Sequence, residues 1–360
     1  MSHIKTIGSL FAASLLLAAC GTAEDAYPPP PKSLLLTGSD GALQTLPPAR
    51  VSVSFTVDTN DGQPVAGMQA DAFEIYEDGA KISAYESQRS IQPRGEKSRM
   101  YSLLLLDMSG SILRSGEFPK VQDAATAYVD RVLAEGGDSQ RIAVFGFDGR
   151  SALIPIVGFT ADGQALKDGI FNLGIKQCSA NADCAANTDN KSCAGWLCVD
   201  ESTNLNGAVV NALGELDGAV QADPQIPWKE SALVVFTDGT DQAARVPASD
   251  TLNAVKASTS HVFTVGLGGE VDRSALTSFG KDGYEPVAAS DQLQKAFDAI
   301  AGRVSAMANR FYVLDYCSPK RSGTHELRIV GSFKGPDGNM LSGSMTREFD
   351  ATGFTSGCEI

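Results

Sequence analysis

The sequence predicts an α/β fold: a doubly wound, mainly parallel sheet inserted between N- and C-terminal strand segments that close into a β-sandwich. Two apolar runs, 101–106 and 232–236, carry the first half of that expectation, because strands buried on both faces read as unbroken apolar stretches. Helical stripes separate such runs, which implies a sheet covered on both sides. At both ends of the chain, alternation by two replaces spacing by three and four, the period of half-exposed strands.

Taken in order, residues 51–57 (VSVSFTV) alternate as a strand and lead to a hairpin-type turn, Asn60-Asp61-Gly62-Gln63. Residues 73–76 and 81–85 flank a second turn, Glu77-Asp78-Gly79. The run 101–106 ends at Asp107. Val121, Ala124, Ala125, Tyr128, Val129 and Val132 then form a helical stripe over 119–134. Strands are expected at 141–147 and 152–159, and a helix at 162–173. Leu205, Ala208, Val209, Ala212, Leu213 and Leu216 mark another helix, and 232–236 ends at Thr237-Asp238-Gly239. A short helix at 252–257, a strand at 261–267 and a helix at 273–279 follow. Leu293, Phe297, Ile300, Val304 and Met307 mark the last helix. Residues 311–316, 325–330 and 344–349 read as strands, with a turn at Pro336-Asp337-Gly338. That makes about three strands before the α/β core and three after it. Short strands cannot cover themselves, so the two sets are expected to pack together, 50–95 with 310–360.

Composition excludes several functions. With 43% hydrophobic residues in 360, the chain can build real cores and is not disordered. A net charge of -14 leaves no basic footprint for a phosphate backbone, so nucleic acid is not an expected partner. The histidines, His3, His261 and His325, show no metal-ligand spacing.

Residues 1–20 read as an address. Lys5 precedes an apolar stretch too short to span a bilayer, which ends in Leu17-Ala18-Ala19-Cys20. This resembles the bacterial lipobox, which implies a signal peptide, acylation of Cys20 and anchoring in the cell envelope. Gly21, where aspartate would favour inner-membrane retention, points to the outer membrane, on its periplasmic or surface side. Residues 21–49, with Pro28-Pro29-Pro30-Pro31 and Pro47-Pro48, read as a semi-rigid spacer.

Without Cys20, six cysteines remain: Cys178, Cys184, Cys193, Cys198, Cys317 and Cys358. An even number in an exported chain reads as three disulfides. Four of them fall in an insertion at 177–200 with spacing C-x5-C-x8-C-x4-C. No C-x2-C pair occurs, so two disulfides are expected rather than a zinc site, with three pairings open. Cys317 and Cys358 are expected to join the strand after the last helix to the C-terminus. Trp196 reads as packed on these disulfides, with a partner contact as the alternative.

Asp107-Met108-Ser109-Gly110-Ser111 is a D-x-S-x-S run directly after a buried strand. Thr203 opens a helix, and Asp238 ends the second buried strand. Together these pieces resemble the von Willebrand factor type A domain, over about 99–309, with its metal-ion-dependent adhesion site. The resemblance implies that Ser109, Ser111 and Thr203 ligate the ion directly, while Asp107 and Asp238 orient waters and balance charge. Mg²⁺ is the expected ion, with Mn²⁺ or Ca²⁺ as alternatives. A protein partner would supply Asp or Glu to complete the octahedron. Asp241 reads as a solvated loop carboxylate. A structural envelope scaffold, with the ion only stabilising the domain, is the second reading. A metal-dependent phosphohydrolase is a minor third. It lacks the second aspartate that phosphatases of this strand-end type place where Ser109 stands, so no enzyme is expected.

Overall fold

The computed structural model describes residues 32–38, 42–83, 87–93, 98–173, 177–184, 192–335, 337–358 and 360. Cys20, the lipobox and the tetraproline run lie outside the described residues. Among those described, no helix is long and apolar enough to cross a membrane.

Among the described residues six strands come first: β1 (Leu34–Thr37), β2 (Leu43–Leu46), β3 (Arg50–Thr59), β4 (Phe73–Glu77), β5 (Ala80–Lys81) and β6 (Ser90–Pro93). The α/β layer follows, with β7 (Ser98–Asp107), α1 (Gly110–Arg114), α2 (Phe118–Gly136), β8 (Gln140–Phe147), β9 (Ile154–Thr160) and α3 (Gly163–Asn172). A small hairpin, β10 (Ser192–Ala194) and β11 (Leu197–Val199), precedes α4 (Leu205–Gln221), β12 (Trp228–Thr237), α5 (Ala248–Ala257) and β13 (His261–Leu267). Then come α6 (Arg273–Phe279), β14 (Gly283–Val287), α7 (Leu293–Asn309), β15 (Phe311–Cys317), β16 (Thr324–Lys334) and β17 (Met340–Asp350).

The central sheet runs β14-β13-β12-β7-β8-β9. Its neighbours pair in parallel, except for the antiparallel edge β8–β9. The chain builds outward from β7 through β8 and β9, then returns to the other side of β7 with β12. The strand order therefore reverses between β7 and β12, which opens a crevice beyond their carboxyl ends. This is the doubly wound architecture that the sequence predicts. The leucine run shows why. Leu104 and Leu106 pack in one core with α2 and α7, whereas Leu103 and Leu105 pack in another with α4 and α6. Alternation by two serves both faces, so every residue of the run is apolar.

The flanking strands form two sheets. One is β1-β3-β15-β6, with β2 also on β3; the other is β17-β16-β4-β5. Each sheet pairs an N-terminal strand with a C-terminal one, β3 with β15 and β4 with β16. Val51, Val53, Phe55, Phe73, Tyr312, Leu314, Leu327 and Ile329 share the core between them. The sandwich thus closes around the inserted α/β layer. One correction concerns the spacer: β1 and β2 lie inside 21–49, so these strands of that stretch belong to the sandwich. Leu34 and Leu36 are buried while Leu35 is exposed, a four-residue alternation too short to stand out beside the prolines.

The insertion contains two disulfides, Cys178–Cys193 and Cys184–Cys198, and Cys317–Cys358 ties β15 to the C-terminus. Sulfurs of Cys178, Cys184 and Cys198 lie within 4.8 Å of one another, but cross-linked sulfur offers no thiolate to a metal.

The sandwich meets the α/β layer at the amino ends of the central strands. Trp228, the first residue of β12, packs on Phe311 with ring centroids 5.6 Å apart. Beside them Arg310 binds Asp58 of β3 at 2.7 Å and also pairs with Glu230 of β12. All three side chains are mostly buried. His261 joins the cluster through Glu230 at 3.7 Å and pairs on its other side with Asp282 at 2.8 Å. Removing the arginine would strand two carboxylates away from water, so Arg310→Met should cost about 3–5 kcal/mol of stability. Urea unfolding checks this; a loss below about 1 kcal/mol would mean the pair is effectively solvated.

Candidate metal site

Of the two buried strands next to the switch point, β7 ends in Asp107 and β12 is followed directly by Asp238, and the structure brings those ends together. Asp107 is completely buried. Its Oδ1 accepts the Ser109 N–H at 2.8 Å and its Oδ2 accepts the Thr237 hydroxyl at 2.6 Å. With both oxygens engaged by the protein, Asp107 is held as a fixed negative group behind the loop. Ser109 caps α1 by position, yet its side chain makes no capping bond. Its Oγ lies 3.1 Å from Oγ of Ser111. Ser111 in turn donates to Oδ1 of Asp238 at 2.8 Å.

Thr203 arrives from the other side. The N-cap of α4 is Asn204, whose side chain accepts from the Gly207 N–H at 3.3 Å. Thr203 is therefore released from the capping role that its sequence position also allowed. Its carbonyl accepts the N–H groups of Gln242 and Ala243 at 2.9 and 3.0 Å. Its hydroxyl approaches Gly239, where an added Cβ would lie 3.8 Å from Oγ1. The loop after β12 is thus bound to the residue that precedes α4. Asp107, Ser109, Ser111, Thr203 and Asp238 all sit at the carboxyl edge of the sheet, at the end away from the sandwich.

Three residues of this edge were not singled out as site residues by the sequence. Thr237 supplies a donor to Asp107, and its signal was its place just before Asp238. Asp148 directly follows β8, whose last residue Phe147 pairs with Asp107, and it is fully buried. Its carboxylate accepts from Arg150 Nε at 2.9 Å and from the Asp200 N–H at 3.1 Å, so it staples two loops. Asp241 corrects the expectation of a solvated carboxylate. It is half-buried and accepts the N–H groups of Asn206 at 3.0 Å and Ala244 at 3.1 Å, which shapes the loop that holds Thr203. Trp196 departs from the packed position expected for it and is 54% exposed at the tip of the β10–β11 hairpin.

The donor set is all oxygen, hydroxyl and carboxylate, which suits a hard divalent cation and does not suit a soft one. Electrostatics agree. Burial, and after it the negative charge of Asp238, push the Asp107 carboxyl up to about 6, against the lowering bonds from Thr237 and Ser109. Burial also raises Asp238; the Ser111 bond opposes the rise and the Glu270 carboxylate adds to it. A cation among these groups would relieve both.

No protein-family model and no curated protein matches the chain. Solved structures similar to it include proximal thread matrix protein 1 of the mussel byssus, with 13% identity over 62% of this chain and 50% of that one, at a TM-score of 0.43. A structure of the same protein with a zinc-occupied MIDAS motif gives 14% identity over 64% and 49%, at 0.42. A von Willebrand factor type A structure from Catenulispora acidiphila gives 12% identity over 90% of this chain and 74% of that one, at 0.42. The match spans about half the length of the mussel protein. These are distant likenesses, and the fold assignment stands on strand order and register.

An acid whose pKa is higher in the folded state binds its proton more tightly there. In the absence of a cation, the Asp107 contribution is therefore present below its free value of 3.8 and is lost as pH rises through about 6. Thermal melts in EDTA across this window should show wild type losing stability with rising pH relative to Asp107→Asn. Parallel curves would assign the titration to another group.

Proposed function

We propose that the chain is a lipid-anchored envelope protein whose α/β layer is a von Willebrand factor type A domain. In this reading the domain captures a protein partner through a divalent cation. The observation that carries it is the convergence of Ser109, Ser111 and Asp238 on one point beyond the switch point, with Thr203 brought up beside them. Ser109, Ser111 and Thr203 are hydroxyl ligands in this reading. Asp107 and Asp238 hold waters and balance the ion's charge. Mg²⁺ is the ion that fits best, because it prefers six oxygens and keeps several waters. With few anionic groups bound directly, the ion stays electrophilic enough to take a carboxylate from an Asp or Glu of the partner. Anchoring through Cys20 would present this edge at the bacterial outer membrane. The role is binding, without turnover.

A second reading, in which the ion only stabilises the domain of an envelope scaffold, draws support from the two carboxylates that burial forces together. The two readings separate in one comparison: crosslinked capture from cells in Mg²⁺ or EDTA, with wild type and Asp107→Ala. Metal-bridged binding predicts a partner held by wild type in Mg²⁺ and lost in EDTA and in the variant. A partner retained equally in all three overturns it.

Melting adds a direct test of the ion. Mg²⁺ at about 100 times its Kd should stabilise wild type by roughly 2.7 kcal/mol and leave Asp107→Ala unmoved. The ion competes with the Asp107 proton, so its apparent affinity should fall about tenfold per pH unit below the Asp107 pKa. Calorimetric titration at several pH values reads that slope, and a pH-independent affinity would remove Asp107 from the site.

A further inference from the structure

The disulfide hairpin sits against the loop that carries Ser109 and Ser111. Cys193 and Cys198 face each other across β10 and β11. Each is bonded to a cysteine of the preceding segment, Cys178 and Cys184. Gly195 and Trp196 connect the strands with φ of +52° and +72°, a two-residue turn with both central residues left-handed. Such a turn is unfavourable for tryptophan. The Trp196 carbonyl is held by the N–H groups of Gln177 and Cys178 at 2.7 and 3.1 Å.

Two contacts tie this hairpin to α1. A Cβ added to Gly195 would lie 2.8 Å from the carbonyl oxygen of Leu113. Ala194, Leu197 and Val199 share a buried core with Met108, Ile112 and Leu113. Just past β11, the Glu201 carbonyl accepts the N–H of Gly110, the residue between the two serines, at 3.1 Å. The Glu201 carboxylate pairs with Arg114 at the end of α1. Thr203 follows two residues later. The segment therefore touches the serine loop along its length and then delivers Thr203 to the other side of the same site.

We propose that the disulfide hairpin is a clamp that sets the affinity of the divalent site by fixing Ser109 and Ser111 relative to Thr203. This inference rests on the metal-site reading above. Strands of three residues do not hold together alone, so the two cross-links keep the hairpin formed. Without them, Glu201 no longer braces Gly110, and Thr203 must be ordered when the ion binds. That ordering appears as weaker binding.

The test is a Mn²⁺ titration followed by electron paramagnetic resonance on the full chain. Four proteins are compared: wild type, Cys178→Ser/Cys193→Ser, Cys184→Ser/Cys198→Ser and Cys317→Ser/Cys358→Ser. The last pair lies in the sandwich and serves as the control, since its loss should lower the melting temperature without moving Mn²⁺ affinity. The hairpin variants should bind Mn²⁺ about tenfold more weakly or worse. Gly195→Ala keeps every cysteine and pushes the turn off Leu113; it should weaken binding in the same direction, and it decides the matter if the cysteine variants do not fold. Unchanged affinity in Gly195→Ala and in any folded hairpin variant overturns the clamp while the metal site stands. Absence of saturable Mn²⁺ binding by wild type overturns both.

Discussion

Asp107 ends a strand buried among apolar neighbours, and the chain that follows seals its carboxylate from water. A group placed there must find its partners within the protein or remain protonated. Much of the local architecture follows from that requirement. The Ser109 N–H and the Thr237 hydroxyl take its two oxygens, which bends the chain back over the strand end and joins β7 to β12. Beyond that bend the two serine hydroxyls meet, and Ser111 donates to Asp238. Thr203 is drawn in by a loop bound to its carbonyl. The arrangement remains electrostatically unsatisfied, with two carboxylates raised together, and this is the property that a divalent cation would use.

The two ends of the central sheet do different work. At the amino ends, Trp228 packs on Phe311 and Arg310 joins Asp58 to Glu230, so the sandwich grips the sheet through aromatic packing and buried ion pairs. At the carboxyl ends, polar loops meet around Asp107 and Asp238. Strands β7 and β12 run the whole distance between them and are paired over nine positions, from Trp228 opposite Ser98 to Phe236 opposite Leu106. That rigid span sets the relative positions of the two aspartates. The sandwich stabilises the sheet without intruding on the site.

Most of the α/β layer was legible because its strands and helices carry their period in the sequence. The run 101–106 and the stripes of α2, α4 and α7 are long enough for the pattern to rise above accident. Elements of a few residues were not legible: β1 and β2 hide among prolines, and β14 contains Pro286, which weakens a strand pattern. The sequence groups Asp107, Ser109, Ser111, Thr203 and Asp238 because strand context singles out residues that would each read as turn or cap residues alone. Asp148, one residue past the end of β8, does not stand out in the sequence, since only its contacts with Arg150 and Asp200 reveal it as a staple between two loops.

The sequence by itself determined the class of fold, the residues at the strand ends and the number of cross-links, since periodicity, short-range spacing and counting express these directly. Tertiary structure decided which cysteines pair, that Asn204 caps α4 and releases Thr203, and that Glu201 braces Gly110. Each of these depends on groups far apart in the chain meeting at distances of a few ångströms. The strand order decides which groups meet, and no local pattern of residues encodes that order completely.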